Sequence, residues 1–442
     1  MVKKMTAGDP KKLIWGFTWP LILGNMFQQL YAFVDTFMVG RFLGVGALAS
    51  VGSTGALMFL VLGFVNGFTT GLSIVTGQRF GAKDRSGVRE SAAASVIISV
   101  VFGVFLTALC SYYCMDILIA MDTPKEIIDG AYDFIIVVYG GMLAFVLLNL
   151  QINLLRALGD SKTPTYILAA TLTLNIIFEP IAILVLHGGI FGAAIATIIA
   201  QILGNLMIAY YIHKKVPHLH TRYTDWRPSL SNIIEHIKIA FPMGFQLSII
   251  AVGAVILQIA LNNLGPVAIA AYAAAQKVDA VAVMPMMSFG MAMSAYTAQN
   301  FGAGEYGRIK QGIKECTKMS VSFAILAGVI LALFGHYVME IFVGPEEVNV
   351  IGYGRLYLII NGLCFWLVAL LFIYRAALQG LGKTFAPTMT GIMELVMRAA
   401  VAIYLAPILG YFGACFANPA AWAGGLLPLL VAYYFVKKEL KL

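Results

Sequence analysis

Charge is what this sequence has least of. Only 11% of its 442 residues are Asp, Glu, Lys or Arg, against roughly 25% in a soluble domain. A water-solvated fold is thereby excluded as the main architecture, and 60% of the residues are hydrophobic. Histidine is scarce as well: all six residues (His187, His213, His218, His220, His236, His336) fall in predicted loops or near span ends. No His-Glu-x-x-His, Gly-x-Ser-x-Gly or nucleotide-binding loop occurs, which leaves a metallohydrolase, a serine hydrolase or direct ATP coupling without their parts. The five cysteines are scattered and odd in number, so neither a disulfide framework nor a metal knuckle is implied. The net charge of +8 does not suggest a nucleic-acid partner, because the basic residues sit in short loops with no soluble domain around them.

What is present is apolar and long. Twelve apolar segments fall at roughly 13–39, 48–76, 92–111, 131–153, 164–186, 190–212, 237–262, 267–297, 317–335, 352–374, 386–408 and 411–435. Each is close to the ~20 residues a membrane helix needs, and about twice the length of a barrel strand. The expected fold is therefore an all-α integral membrane protein with twelve transmembrane helices. The first run has lysines before it, as a signal peptide would, but its length and the lack of a small-residue cleavage site favour a retained span.

Basic residues predict the orientation. With a cytoplasmic N-terminus, the inner connections collect Lys3, Lys4, Lys11 and Lys12, then Arg79, Lys83, Arg85 and Arg89, and later Arg308, Lys310, Lys314, Lys318, Arg375 and Lys383. Outer connections carry Asp116, Asp122, Glu126, Asp129, Glu340, Glu346 and Glu347 instead. That asymmetry is the positive-inside pattern, and it places both termini on the cytoplasmic side of a cell (inner or plasma) membrane.

The chain also repeats itself. Thr76-Gly-Gln-Arg-Phe-Gly-Ala matches Thr297-Ala-Gln-Asn-Phe-Gly-Ala, Pro20 matches Pro242, and Leu158-Gly-Asp-Ser-Lys-Thr-Pro164 matches Leu381-Gly-Lys-Thr-Phe-Ala-Pro387. Partners lie 221–223 residues apart. The expected organisation is two pseudo-symmetric six-helix lobes: an N-lobe over 1–212, a cytoplasmic linker over 213–236 and a C-lobe over 237–442. An even number of spans per repeat gives the parallel-repeat plan of many secondary transporters, with a substrate path between the lobes.

These residues resemble the multidrug and toxic compound extrusion (MATE) transporters. The resemblance runs along essentially the whole chain, through Gly8-Asp-Pro10, Trp19-Pro20, the Asp35 stretch, Gly77-Gln-Arg-Phe-Gly-Ala82, Asn175-Ile-Ile-Phe-Glu-Pro180 and Gly192-Ala-Ala-Ile-Ala-Thr197. It is nearest to the DinF-like branch, because Asp35, Asn175, Glu179 and Thr197 fit that branch's polar cluster. Glu179 stands where the family often has Asp, a longer arm with the same charge. The seventh span reads Gln246-Leu-Ser-Ile-Ile-Ala with no acid, unlike the sodium-linked NorM-like branch.

The residues point the same way on their own. An acid at bilayer depth costs several kcal/mol on most scales and usually faces an interior cavity. At about 1.5 Å per residue, Asp35, Asn175 with Glu179, and Thr197 fall at a similar height on three different helices. Two carboxylates that close cannot both ionise cheaply and titrate as a unit, so Asp35 and Glu179 are the expected proton-coupling pair. Asn149 and Asn153 of the fourth span are expected to face a cavity or another helix. Pro20 breaks a backbone hydrogen bond in the first span and reads either as a hinge or as a fixed kink. The C-lobe lacks the same pair; its polar residues are Lys277 with Asp279, where the lysine would largely neutralise the acid, and Glu394 with Arg398, spaced for an intrahelical ion pair.

The function these features imply is a cation-coupled antiporter, with H+ as coupling ion and Na+ as the alternative, exporting lipophilic and often cationic compounds. A flippase for a lipid-linked or amphipathic metabolite shares the architecture and stays open. No catalytic residue, resident metal or other cofactor is expected, and the expected partners are small organic cations, other amphipathic compounds and the bilayer, with the chain acting as a monomer. A purely structural membrane protein would have no reason to gather acids at one depth in one lobe.

Overall fold

The computed structural model describes residues 3–440; positions 1, 2, 441 and 442 lie outside the described residues. Fifteen α-helices follow one another: α1 (Pro10–Ser53), α2 (Gly55–Gly81), α3 (Arg85–Tyr112), α4 (Cys114–Ala120), α5 (Lys125–Gly140), α6 (Met142–Ala157), α7 (Lys162–Pro180), α8 (Gly189–Lys215), α9 (Leu230–Asn262), α10 (Pro266–Gly302), α11 (Tyr306–Val343), α12 (Val348–Gly380), α13 (Phe385–Ala400), α14 (Ala406–Ala414) and α15 (Ala417–Glu439). A π-helical turn extends α7 over Ile181–Val185 and another joins α13 to α14 over Val401–Leu405. Among the described residues eleven helical stretches are long and apolar enough to cross a membrane, and α5 with α6, bent by 50°, makes a twelfth. The all-helical membrane fold is the one the apolar runs predict.

The chain forms two compact units, Met1–Lys4 with Pro20–Gly244 (unit 1) and Met5–Trp19 with Phe245–Leu442 (unit 2). Both divisions therefore fall inside long helices, at Trp19/Pro20 in α1 and at Gly244/Phe245 in α9, rather than at the expected 213–236 linker. Close packing explains why the start of α9 belongs to unit 1. A Cβ on Gly67 would sit 2.3 Å from the Met243 carbonyl oxygen, and one on Gly71 would sit 2.6 Å from the Ala240 Cα. Glycines four apart let two helix backbones touch, the usual device for packing in lipid. Around that contact Phe68 lies tilted against Phe102, ring centroids 4.4 Å apart, and meets the edge of Phe241 at 5.2 Å.

Polar bonds fix the same segment. Arg79 donates to Asn232 Oδ1 (3.0 Å) and Glu235 Oε2 (2.9 Å), and the buried His236 shares a hydrogen bond of 2.8 Å with Ser91. The connection before α9 holds two 3-10 turns, Pro217–Leu219 and Tyr223–Trp226, and α9 already begins at Leu230, so the link is shorter than 213–236. Asp225 pins it to α3 by accepting from Arg89 Nε at 3.1 Å. Burial opposes the Asp225 charge, but the Arg222 N–H and the Arg89 guanidinium outweigh it and hold the carboxyl below the usual carboxylate range.

Unit 2 receives the start of the chain in the same way. Met5 N–H donates to Gln299 Oε1 (2.8 Å), and Arg308 donates to the Gly8 carbonyl (2.9 Å). Trp15 lies against Phe289 with ring centroids 6.1 Å apart. The repeated Thr-x-Gln-x-Phe-Gly-Ala stretch thus supplies Arg79 in one unit and Gln299 in the other, each gripping the approach to a long helix.

Candidate functional site: an acid-bearing cavity in unit 1

A cavity of about 490 Å³ opens within unit 1, lined by α1, α2, α5, α6, α7 and α8. Its wall is mostly apolar, with Phe27, Met58, Leu62, Phe134, Val138, Met142, Phe145 and Leu168, and among the described residues Asp35 is the one carboxylate lining it. Polar groups interrupt that wall at Gln28, Tyr31, Thr36, Thr171, Thr197 and Gln201. Such a site has the size and make-up of a small-molecule pocket, apolar with a few placed polar groups. Gln28, Tyr31 and Asp35 are spaced three and four apart, one face of α1. That spacing was the available signal for Gln28 and Tyr31, which apolar composition alone did not single out as site residues.

Behind the wall sits the second acid. Glu179 of α7 is 0% exposed, and neither of its carboxylate oxygens has a hydrogen-bond partner among the described residues. Glu179, Asp35 and Tyr31 lie within electrostatic reach of one another, with Thr197 beside Tyr31. One turn below Glu179, Asn175 donates from Nδ2 to Thr197 Oγ1 at 3.2 Å, while its Oδ1 is left without a partner. Asp35, Glu179, Asn175 and Thr197 are therefore brought together. Burying an acceptor without a donor costs about 1–3 kcal/mol, and three such oxygens lie on one turn of α7.

The two α6 asparagines go elsewhere. Asn149 donates to the Phe145 carbonyl of its own helix at 2.9 Å. Asn153 donates to Thr69 and Thr70 of α2 at 3.1 and 3.2 Å, a helix–helix contact away from the acids. Pro20 is buried, α1 stays helical through it, and its carbonyl accepts from Thr165 Oγ1 at 2.6 Å. The departure from helical geometry in α1 comes at Gly44, with φ of 85°.

In unit 2 the expected neutralisation of Asp279 by Lys277 does not occur. Two residues on a helix point nearly opposite ways; Asp279 is buried and Lys277 is exposed. Glu394 and Arg398 do pair, at 3.5 Å, but a third residue joins them. Arg375, expected in an inner loop, instead lies within α12, 7% exposed, and bonds Glu394. The reason is local: α12 continues to Gly380, so the loop begins after Arg375.

Comparison with known proteins places the chain among transporters. The MatE family model matches residues 20–181 and again 242–404, once in each repeat. A probable multidrug resistance protein of Bacillus subtilis, YoeA, is 29% identical over 98% of this chain and 96% of its own length. A second from the same organism, YpnP, is 27% identical over 80% of this chain and 78% of its own. A solved outward-facing multidrug resistance MATE family transporter of the MOP superfamily has a TM-score of 0.90 at 22% identity, covering 99% of this chain and 97% of that one; this likeness speaks to the fold.

Proposed function

The chain belongs to the MatE family, membrane-embedded transporters rather than enzymes, and from that premise we propose that it is a proton-coupled antiporter exporting lipophilic, often cationic, organic compounds. The observation that carries the reading is Glu179, a fully buried carboxyl with no hydrogen-bond partner among the described residues, within electrostatic reach of Asp35 on the cavity wall. An acid fixed in an ion pair cannot exchange its proton cheaply; one without a partner can. Two such acids share a proton more easily than either ionises beside the other.

The mechanism follows from that coupling. With Asp35 ionised, a cationic amphiphile gains both an apolar wall and a counter-charge in the cavity. A proton arriving at the pair removes the counter-charge, and the compound is released; loss of the proton to the other side resets the site. Pro20 is the first residue of α1 that packs with unit 1, a suitable place for the helix to bend as the acids change charge. In this reading the protein works as a monomer in the cell membrane with both termini cytoplasmic. The names of the two Bacillus relatives support export of drugs.

Sodium is the second reading, favoured by one observation: among the described residues Glu179 Oε1 and Oε2 and Asn175 Oδ1 all lack a hydrogen-bond partner, and a hard cation takes oxygen ligands. Proteoliposomes given a proton gradient or a sodium gradient, one at a time, separate the two. Export of a fluorescent lipophilic cation should follow the proton gradient at constant sodium; export that follows sodium alone overturns proton coupling.

A further inference from the structure

Asp35 serves one end of the unit 1 cavity, and the other end has polar groups that proton coupling leaves unused. Gly24 of α1 lies against Thr165 of α7, where a Cβ would come within 3.2 Å of Thr165 Oγ1. Farther along, Asp35 is within electrostatic reach of Glu179, so the two helices run side by side in the same direction. Gln28 and Thr171 both fall between those two contacts, nearer the start of their helices than the acids. Along α1, Gln28 and Asp35 are separated by about 10 Å. α8 runs the other way: Thr197 accepts from Asn175, and a Cβ on Gly204 would lie 2.8 Å from Thr171 Oγ1. Gln201, one turn past Thr197, therefore arrives level with Thr171. Gln28, Thr171 and Gln201 all line the cavity, which has an acid end and an amide end.

The amide end is short of hydrogen-bond donors. Thr171 Oγ1 spends its hydrogen on the Ile167 carbonyl at 2.9 Å. Thr36 and Thr54, also on the cavity wall, do the same with the Ala32 and Val51 carbonyls at 2.8 and 2.7 Å. Each is left with lone pairs to offer. Gln201 Oε1 is buried and has no hydrogen-bond partner among the described residues. Asn205, one turn farther along α8, is a contrast. Its Nδ2 donates to the Ala144 and Gln201 carbonyls at 2.8 and 3.0 Å, and its Oδ1 accepts from Gln151 Nε2 at 3.2 Å. That amide is spent on holding α6 to α8. The Gln201 acceptor is not, and a buried acceptor is costly to leave unmet.

We infer that the amide end is a second recognition subsite, in which Gln201 accepts a hydrogen bond from an N–H or O–H group that the exported cation carries about 10 Å from its charged nitrogen. The subsite rests on the reading of this cavity as the export site, with Asp35 as the counter-charge. It narrows the substrate class from lipophilic cations at large to elongated ones with a distal hydrogen-bond donor. Gln201 is then a specificity-determining residue, because a site built to bond an O–H or N–H rejects an analogue lacking it more sharply than an apolar wall can.

Three amines of one skeleton test it: 4-(4-aminobutyl)phenol, its methyl ether, and 4-phenylbutylamine. Extended, the first holds its hydroxyl and its nitrogen about as far apart as the two ends of the cavity. The ether keeps the oxygen without its hydrogen, and the third lacks both. Each is titrated against a bound fluorescent lipophilic cation on the full-length protein in nanodiscs. The phenol should compete about fivefold better than either of the others, and that preference should vanish in Gln201→Met, which keeps a long side chain without the acceptor. The wild-type comparison needs no variant to fold. Equal competition by all three amines in wild type, or a preference that survives Gln201→Met, overturns the subsite, while binding of 4-phenylbutylamine that is lost in Asp35→Asn still upholds the export site. Failure of all three to compete, or competition indifferent to Asp35→Asn, overturns the export site and the subsite with it.

Discussion

Glu179 in unit 1 and Glu394 in unit 2 are buried acids on corresponding helices of the repeat, α7 and α13, and their oxygens have opposite surroundings. Both oxygens of Glu179 are without a donor among the described residues, close to an apolar cavity that Asp35 lines. Both oxygens of Glu394 accept from arginines. Duplication of the fold has thus not duplicated the surroundings of the acid: among the described residues one unit leaves it without a partner, and the other holds it between two arginines.

The largest effect should come from replacing the unpaired acids. Asp35→Asn or Glu179→Gln is expected to bring proton-driven export in proteoliposomes down to the protein-free background, with little change in thermal unfolding; unaltered export in both would erase the distinction between the units. Next comes Glu394→Met, which leaves two buried guanidiniums facing nothing. It should destabilise the protein by about 3–5 kcal/mol, most of it regained when Arg375 and Arg398 also become Met. Unfolding in detergent measures both, and a tolerated single substitution would show that Glu394 is not the fixed partner described.

Smaller effects test the packing that frames each unit. Gly67→Leu would push a side chain into the Met243 carbonyl and should cost about 1–3 kcal/mol, read as faster amide exchange at the start of α9. The smallest effect is a pH dependence outside the membrane. The Asp225 carboxyl is held below the usual range, so the ion pair with Arg89 contributes fully above the unfolded carboxylate pKa and is lost as pH falls through the folded one. Proteolysis of the 216–229 connection should rise on acidification, and Asp225→Asn should raise it at neutral pH and remove the acid dependence.

Much of this contrast was legible in the residues. Long apolar runs and paired motifs 221–223 positions apart carry the twelve-span, two-repeat plan, because lipid leaves a helix few alternatives. Asp35 and Glu179 stand out as acids in apolar surroundings. Arg375 did not, since it lies six residues before the Leu381-Gly-Lys turn and a basic residue there reads as part of an inner loop. Only the length of α12 turns it inward. The grouping of α1 and α9 starts was hidden for another reason: it depends on which partner surface a helix finds, although Gly67, Gly71 and Phe241 are the residues that make the contact.

Proton flux per molecule exported, measured with a pH-sensitive dye in proteoliposomes, bears most directly on the division of labour between the units. Wild type and the Arg375→Met, Glu394→Met, Arg398→Met triple variant should share one ratio of protons to exported compound, while Asp35→Asn and Glu179→Gln move no protons with it. Proton flux that survives both unit 1 substitutions, or that disappears only in the triple variant, would contradict it.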